Sequence, residues 1–287
     1  MHSTIAETLR TAAAALTGVS DTPRLDSELL MAHALGVGRS ELLLRSADLI
    51  VPVSFADLLT RRVADEPVAY ITGYQDFWDL RLSVTPDVLI PRADSETLIE
   101  AAIDAFAEKD EPARVLDLGT GSGALLLVAL SVFKGAQGVA VDASVSALAV
   151  AKRNARVLGF GDRTQFHHLS WKDTGWTNTL DGSFNLILCN PPYVEDDTDL
   201  APMVADYEPH SALFAGPHGL DDYRILLPST PKLLAPNGTA IFEIGATQTQ
   251  SVTDLASETG FSTEMRRDLA GNPRCLRFSL GIGRQDD

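Results

Sequence analysis

The sequence predicts an α/β protein: an open, mostly parallel sheet with helices on both faces, preceded by a small helical domain and a bridging β-hairpin. Three observations carry this. From about residue 94, strand-like and helix-like segments alternate. A glycine-rich loop, residues 119–123, stands where the first of those strands ends. Ahead of both, residues 1–75 are dominated by helical patterning.

The helical stretch opens with four alanines and a leucine at 12–16, a helix-forming run. Thr22-Pro23 reads as an N-cap followed by proline at the first helical position. Leu25, Leu29, Ala32 and His33 then recur at helical spacing, and Gly36 and Gly38 punctuate. Ser54 is placed to cap a helix carrying Leu58, Leu59 and Val63. Residues 77–84 alternate like a strand that Pro86 ends, and a second short strand is expected over 69–72 with Gly73 in the turn. The expected organisation is a helical domain over 1–75, a hairpin linker over 76–90 and an α/β domain over 91–287. Within the last, strands are expected at 114–118, 138–141, 165–169, 184–189, 239–244, 261–265 and 276–280. Helices are expected from about 122 and over 145–157.

Composition narrows the function. The 287 residues are 45% hydrophobic and 22% charged, enough apolar material for a full core. The longest aliphatic stretch, 124–130, is too short to cross a bilayer, so no membrane association is expected. Residues 1–5 lack a basic segment followed by an apolar one, so a cytoplasmic protein without a signal peptide is expected, with a monomer as the starting assumption. The formal charge is −16, and the five lysines form no run. A large nucleic-acid footprint needs clustered cations, so direct nucleic-acid binding is not expected. Cys189 and Cys275 have no metal-type spacing, the six histidines are scattered, and no metal site is expected.

Asp117-Leu118-Gly119-Thr120-Gly121-Ser122-Gly123 occupies a strand-to-helix junction, where glycines let the backbone turn tightly and approach a ligand. Asp142 closes the next strand, placed to accept hydrogen bonds from ribose hydroxyls. Gly119, Gly121 and Ala124 also satisfy the dinucleotide pattern. Gly123 and the acid at 117 tilt the loop toward S-adenosyl-L-methionine.

Asn190-Pro191-Pro192-Tyr193 directly follows the strand 184–189. Its residue types suit a planar NH₂ acceptor, whose delocalised lone pair makes it a poor nucleophile. Such a nitrogen must be fixed close to the methyl and in line with the departing sulfur. The Asn190 side-chain oxygen accepts one N–H, and the Pro191 carbonyl is a natural second acceptor on a loop stiffened by Pro191 and Pro192. Tyr193 offers a face for stacking. These contacts would stabilise positive charge developing on nitrogen, without a strong general base. An amide, adenine N6 or guanine N2 would each satisfy this loop. A nucleic-acid amino-methyltransferase, which would flip its base out of the stack, is therefore the alternative to a protein-amide methyltransferase.

The chain resembles the release factor glutamine methyltransferase family, HemK or PrmC, over nearly its whole length. The resemblance rests on Arg24-Leu25-Asp26-Ser27-Glu28-Leu29-Leu30, on residues 66–73, and on Leu89-Ile90-Pro91-Arg92-Ala93-Asp94-Ser95-Glu96. It continues through the glycine loop, the Asn-Pro-Pro-Tyr loop, Glu208-Pro209 and Gly219-Leu220. It implies a Rossmann-like methyltransferase fold with S-adenosyl-L-methionine on Gly119, Thr120, Gly121, Ser122 and Gly123. Asp142 would hold the ribose, Trp171 would lie near the adenine, and Asn190 would touch both the methionine portion and the acceptor. The acceptor implied is the side-chain amide of the glutamine in the Gly-Gly-Gln motif of class-1 peptide chain release factors, which the helical domain and the hairpin would help grip. Pro91, Arg92 and Glu96 would lie near the cofactor.

Ala93 and Ser170 depart from the family's usual Pro and Asp, the second removing an expected carboxylate contact to the adenine. Trp171 reads equally as a core residue at a strand end, and Cys189 as a buried apolar residue. The acidic run Glu195, Asp196, Asp197 and Asp199 reads as a solvated loop, and His210 and His218 as exposed.

Overall fold

A computed structural model describes residues 4–280. Residues 1–3 and 281–287, at the outer edges of the expected domains and of the N-terminal signal reading, lie outside it. In chain order the helices and strands are α1 (Ile5–Ala15), α2 (Pro23–Leu35), α3 (Arg39–Arg45), α4 (Phe55–Val63), α5 (Val68–Thr72), β1 (Tyr74–Phe77), β2 (Leu80–Ser83), α6 (Glu96–Phe106), β3 (Arg114–Leu118) and α7 (Ala124–Val132). They continue with β4 (Gln137–Asp142), α8 (Val145–Val157), β5 (Thr164–His168), β6 (Phe184–Cys189), α9 (Pro202–Ala205), α10 (Asp221–Ser229), β7 (Leu234–Glu243), α11 (Thr249–Ser257), β8 (Phe261–Arg267) and β9 (Pro273–Leu280). Among the described residues no helix is long and apolar enough to cross a membrane.

The chain forms two compact units. The first runs up to Tyr74 and includes Leu200–Tyr207. A capping box opens α1: Thr4 accepts the Glu7 N–H while the Glu7 carboxylate takes the Thr4 N–H. Of the positions expected at helical spacing on α2, Ala32 is buried and Leu29 half-buried. Leu25 and His33 are exposed, whereas Asp26, Leu30 and Met31 are buried. Asp26 is inside because Arg62 of α4 is inside too: the Arg62 Nε donates to Asp26 Oδ2 at 2.8 Å and Nη2 to the Val19 carbonyl at 3.2 Å. Val63, expected on an apolar face, is exposed, because Phe55 and Arg62 mark the inner side of α4.

The expected strand over 69–72 is instead the short helix α5. Pro67 precedes its first turn and Gly73 ends it in the left-handed region at φ 80°. The expected single strand over 77–84 is also corrected. The hairpin is β1 and β2, and its turn falls at Trp78, a non-glycine residue at φ 56°. Glu96 accepts the Trp78 N–H at 2.7 Å, which secures that unusual backbone.

The second unit contains a seven-stranded sheet in the order β5-β4-β3-β6-β7-β9-β8. All neighbours from β5 to β7 are parallel, and β9 runs antiparallel to both β7 and β8. Alternation along β3 serves two layers. Val115 packs with α6 and α7 on one face, and Leu116 and Leu118 pack with α10 and α11 on the other. The helix α7 is apolar all round because it is buried nearly all round. It lies so close to β4 that a Cβ on Gly138 would meet Leu126 Cδ1 at 3.0 Å. Chain order reverses direction between β3 and β6, so the crevice beyond their carboxyl ends is where an open α/β sheet takes its ligand.

The Arg62–Asp26 pair gives the first prediction. Asp26→Ala leaves a buried guanidinium without its counter-charge and costs about 3–5 kcal/mol. Urea unfolding followed by circular dichroism measures this, and a loss below about 1 kcal/mol contradicts the assignment.

Candidate active site

The site is built from three strand ends. Leu118 of β3 pairs with Val141 of β4 on one side and Cys189 of β6 on the other. The glycine loop, Asp142 and Asn190 therefore emerge side by side from these strands. Gly119, Thr120, Gly121, Ser122, Asp142 and Asn190 line a cavity of about 590 Å³, the size of a small-molecule site, whereas Gly123, expected at the cofactor, is not among the lining residues and faces Leu127 and Ala151.

The loop is tied to β4 by hydrogen bonds within the protein. The Gly119 and Thr120 N–H groups both donate to the Val141 carbonyl at 2.9 Å. The Gly121 N–H donates to Asp142 Oδ2 at 2.9 Å, and Ser144 N–H to Asp142 Oδ1 at 2.8 Å. Each carboxylate oxygen keeps a lone pair for a ligand hydroxyl. Gly119 sits at φ 74°, and a Cβ there would meet the Trp171 ring at 3.1 Å. The indole thus lies over a space that only glycine leaves open. Its Nε1 donates to Asp222 Oδ1 at 2.6 Å, and Lys172 Nζ stands 3.4 Å from the same oxygen.

Two acids at this cavity carry an orphaned oxygen. Asp117 Oδ2 accepts the Thr120 hydroxyl at 2.7 Å, but Asp117 Oδ1 has no partner; Asp222 Oδ2 has none either. Both side chains are buried and both line the cavity. Burial pushes the Asp117 carboxyl up to about 7, with the nearby Asp142 charge adding to it. Burial also raises Asp142. A cationic ligand in the cavity would offset the crowded negative charge of these acids.

The Asn-Pro-Pro-Tyr loop divides its residues. Asn190 and Pro192 line the cavity, whereas Pro191 and Tyr193 stand behind the lining. Among the described residues no donor reaches the Pro191 carbonyl. Tyr193 packs against the hydrophobic cluster on the α10 side and donates its hydroxyl to Glu243 Oε1 at 3.0 Å. Gly219 holds the loop from outside: a Cβ there would overlap the Tyr193 carbonyl at 2.1 Å. Asn190 Nδ2 donates to Ser95 Oγ at 3.4 Å, and Ser95 donates to Glu243 Oε2 at 2.5 Å.

Of the residues tied to the cofactor by resemblance, Pro91 and Arg92 line the cavity, and Glu96 instead secures the hairpin turn. Arg92 pairs with the buried Glu208, whose other oxygen takes the Ile90 N–H at 3.3 Å, so residues 90–92 form a braced wall. Cys189 is fully buried and its thiol is pushed well up by burial, which removes it as a nucleophile. Sequence reasoning missed Ser95, Asp222 and Glu243. Glu243 left a usable signal, an acid closing a buried apolar strand. Asp222, in a polar Asp-Asp pair, left none.

Two family models match the chain: the PrmC N-terminal domain over residues 7–73 and the methyltransferase small domain over residues 95–206. Fold, glycine cradle and Asn-Pro-Pro-Tyr loop thus define a methyltransferase. The release factor glutamine methyltransferase of Rhodospirillum rubrum is 39% identical over 262 residues, spanning 89% of this chain and 78% of that protein. That of Bradyrhizobium diazoefficiens is 37% identical over 277 residues, 93% of this chain and 92% of that protein. The chain belongs to the release factor glutamine methyltransferase family. Among solved structures, the hMettl16 catalytic domain in complex with MAT2A 3'UTR hairpin 1 shares the fold, with a TM-score of 0.59 at 13% identity over 82% of this chain and 84% of that one.

The loop geometry carries two predictions. Gly119→Ala combines a left-handed backbone with a clash against Trp171, and cofactor affinity falls at least about tenfold; calorimetry with S-adenosylhomocysteine measures it, and unchanged affinity contradicts the cradle. The second concerns Asp117. Its folded pKa lies above its ordinary 3.8, so between about 4 and 7 the unfolded chain ionises while the fold holds a neutral acid. That group therefore lowers the stability of the ligand-free protein as pH rises through this window. Asp117→Asn removes the loss, so its melting temperature exceeds that of the wild type at about pH 8 and the gap narrows toward about pH 5. Parallel melting curves across that range would refute the assignment.

Proposed function

We propose that this chain transfers the methyl group of S-adenosyl-L-methionine to the N5 amide nitrogen of the glutamine in the Gly-Gly-Gln motif of class-1 peptide chain release factors. One observation carries the reading. The Asn190 backbone carbonyl lies 4.0 Å from where a Gly119 Cβ would stand, so the amide-holding loop borders the cofactor cradle directly. The cavity fits the cofactor chemically. The Asp117 carboxyl, which lines the cavity and lacks a partner on one oxygen, suits the charge of its α-ammonium, Asp142 its ribose hydroxyls and Trp171 its adenine, which matches a cradle that a Gly119 Cβ would fill. When bound, the cofactor supplies an electrophilic methyl group on a cationic sulfur.

The chain's own residues prepare the acceptor. Asn190 Oδ1 and the Pro191 carbonyl each take one N–H of the glutamine amide, which turns its nitrogen lone pair toward the methyl. Those same acceptors stabilise the charge that develops on nitrogen as the bond forms. Pro192 closes the cavity beside them, and Tyr193, which does not line the cavity as a stacking ring would, supports the loop from behind through its hydroxyl on Glu243. The methylated amide then sheds its proton without a strong base. The first unit, matched by the PrmC N-terminal model, is read as a docking surface for the release factor. The reading is that of a cytoplasmic enzyme, with a monomer as the starting assumption.

The test uses purified protein, labelled S-adenosylmethionine and a class-1 release factor. Label enters the Gly-Gly-Gln peptide, and none does when that glutamine is replaced. Asn190→Ala lowers kcat about 10²–10³-fold with little effect on cofactor affinity, as expected for a contact made mainly in the transition state. Asp142→Ala chiefly weakens the cofactor. No label in the peptide, under conditions where the cofactor binds, refutes the substrate.

A further inference from the structure

An amide side chain can hold a glutamine amide only one way round. Its oxygen accepts from the substrate NH₂ group, whereas its own NH₂ group opposes it donor to donor. The two orientations of Asn190 have almost the same shape, so packing alone does not choose between them. Something must select the oxygen.

The selection is visible in the hydrogen bonds behind Asn190. Glu243, at the end of β7, is fully buried and accepts two hydroxyl protons, one from Ser95 at 2.5 Å and one from Tyr193 at 3.0 Å. Burial raises its pKa, and the two hydroxyl donors and the nearby Arg274 charge oppose that rise and favour the carboxylate. Ser95 has one proton and spends it on Glu243, so toward Asn190 its oxygen is an acceptor only. Asn190 must therefore present Nδ2 to Ser95, which it does at 3.4 Å. Its Oδ1 is left for the acceptor side.

We propose that Ser95 and Glu243 are positioning residues that set the rotational state of the Asn190 amide, so that its oxygen faces the substrate nitrogen. The chain of influence is carboxylate to hydroxyl to amide: Glu243 orients the Ser95 proton, and Ser95 orients Asn190. The same carboxylate anchors Tyr193, so a single buried acid holds both ends of the Asn-Pro-Pro-Tyr loop. The proposal rests on the glutamine-amide reading and assigns it two residues outside that loop.

A double-mutant cycle on the full-length chain tests it, with labelled S-adenosylmethionine and a class-1 release factor as substrates and S-adenosylhomocysteine calorimetry as the folding control. Ser95→Ala lowers kcat about tenfold, the effect of one lost hydrogen bond plus a free amide rotor, with cofactor affinity within about twofold of wild type. Ser95→Thr, which keeps the hydroxyl, stays within about threefold of wild type. In an Asn190→Ala background, Ser95→Ala costs less than about twofold, because the group it orients is gone. An equal loss in both backgrounds overturns the proposal, as does a loss carried by KM with kcat unchanged. Failure of Ser95→Thr to restore kcat while binding S-adenosylhomocysteine normally overturns it too. If the wild type transfers no label to the release factor, the substrate reading falls and this proposal with it. If it does and the cycle is additive, this proposal falls alone.

Discussion

The site depends on the parallel pairing of β3 with β6. Leu118 pairs with Cys189, so the two chains leave the sheet at one level and adjacent to each other. The glycine loop begins directly after Leu118, and Asn190 comes directly after Cys189. A shift of one residue in that register would turn every side chain of β6 to the opposite face and would separate the glycine loop from the Asn-Pro-Pro-Tyr loop. The ladder prevents such a shift because Leu186 and Leu188 fit the core on one face, and Ile187 and Cys189 fit the other. The site is therefore positioned by backbone hydrogen bonds and apolar packing. Among the described residues no group of His, Cys, Asp and Glu is arranged to hold a metal ion.

Among the carboxylates that the fold buries around that junction are Asp117, Asp222 and Glu243. Buried charge is costly, and each acid meets the cost differently. Glu243 is supplied on both oxygens by hydroxyl donors. Asp222 receives the Trp171 indole N–H and the Lys172 ammonium on one oxygen and leaves the other open. Asp117 receives one hydroxyl and titrates close to neutral pH. The acid with both oxygens supplied supports the Asn-Pro-Pro-Tyr loop, and the two with an orphaned oxygen belong to side chains that line the cavity.

Much of this was legible in the sequence. The strands 114–118 and 184–189 and the helix 145–157 coincide with β3, β6 and α8, because buried apolar runs bounded by polar turns have few alternative readings. The glycine loop, Asp142 and Asn190 were legible as well, since their local signatures carry their own mechanism. The hairpin and α5 were not. Residues 69–72 have strand-like composition, yet Pro67 and Gly73 bracket a single helical turn, and the reversal at Trp78 needs Glu96, eighteen residues on, to accept its N–H.

The order of elements and the identity of the two loops were determined by the sequence alone, because periodicity, turn residues and strand-end motifs are local properties of the chain. Only the tertiary structure decided which distant residues meet. Arg62 goes inside with Asp26, Asp222 comes beneath Trp171, and Glu243 reaches Ser95 across 148 residues of chain to govern Asn190. Such pairings arise from sheet order and helix packing, and side chains that look solvent-facing in the linear sequence become buried partners once the layers close.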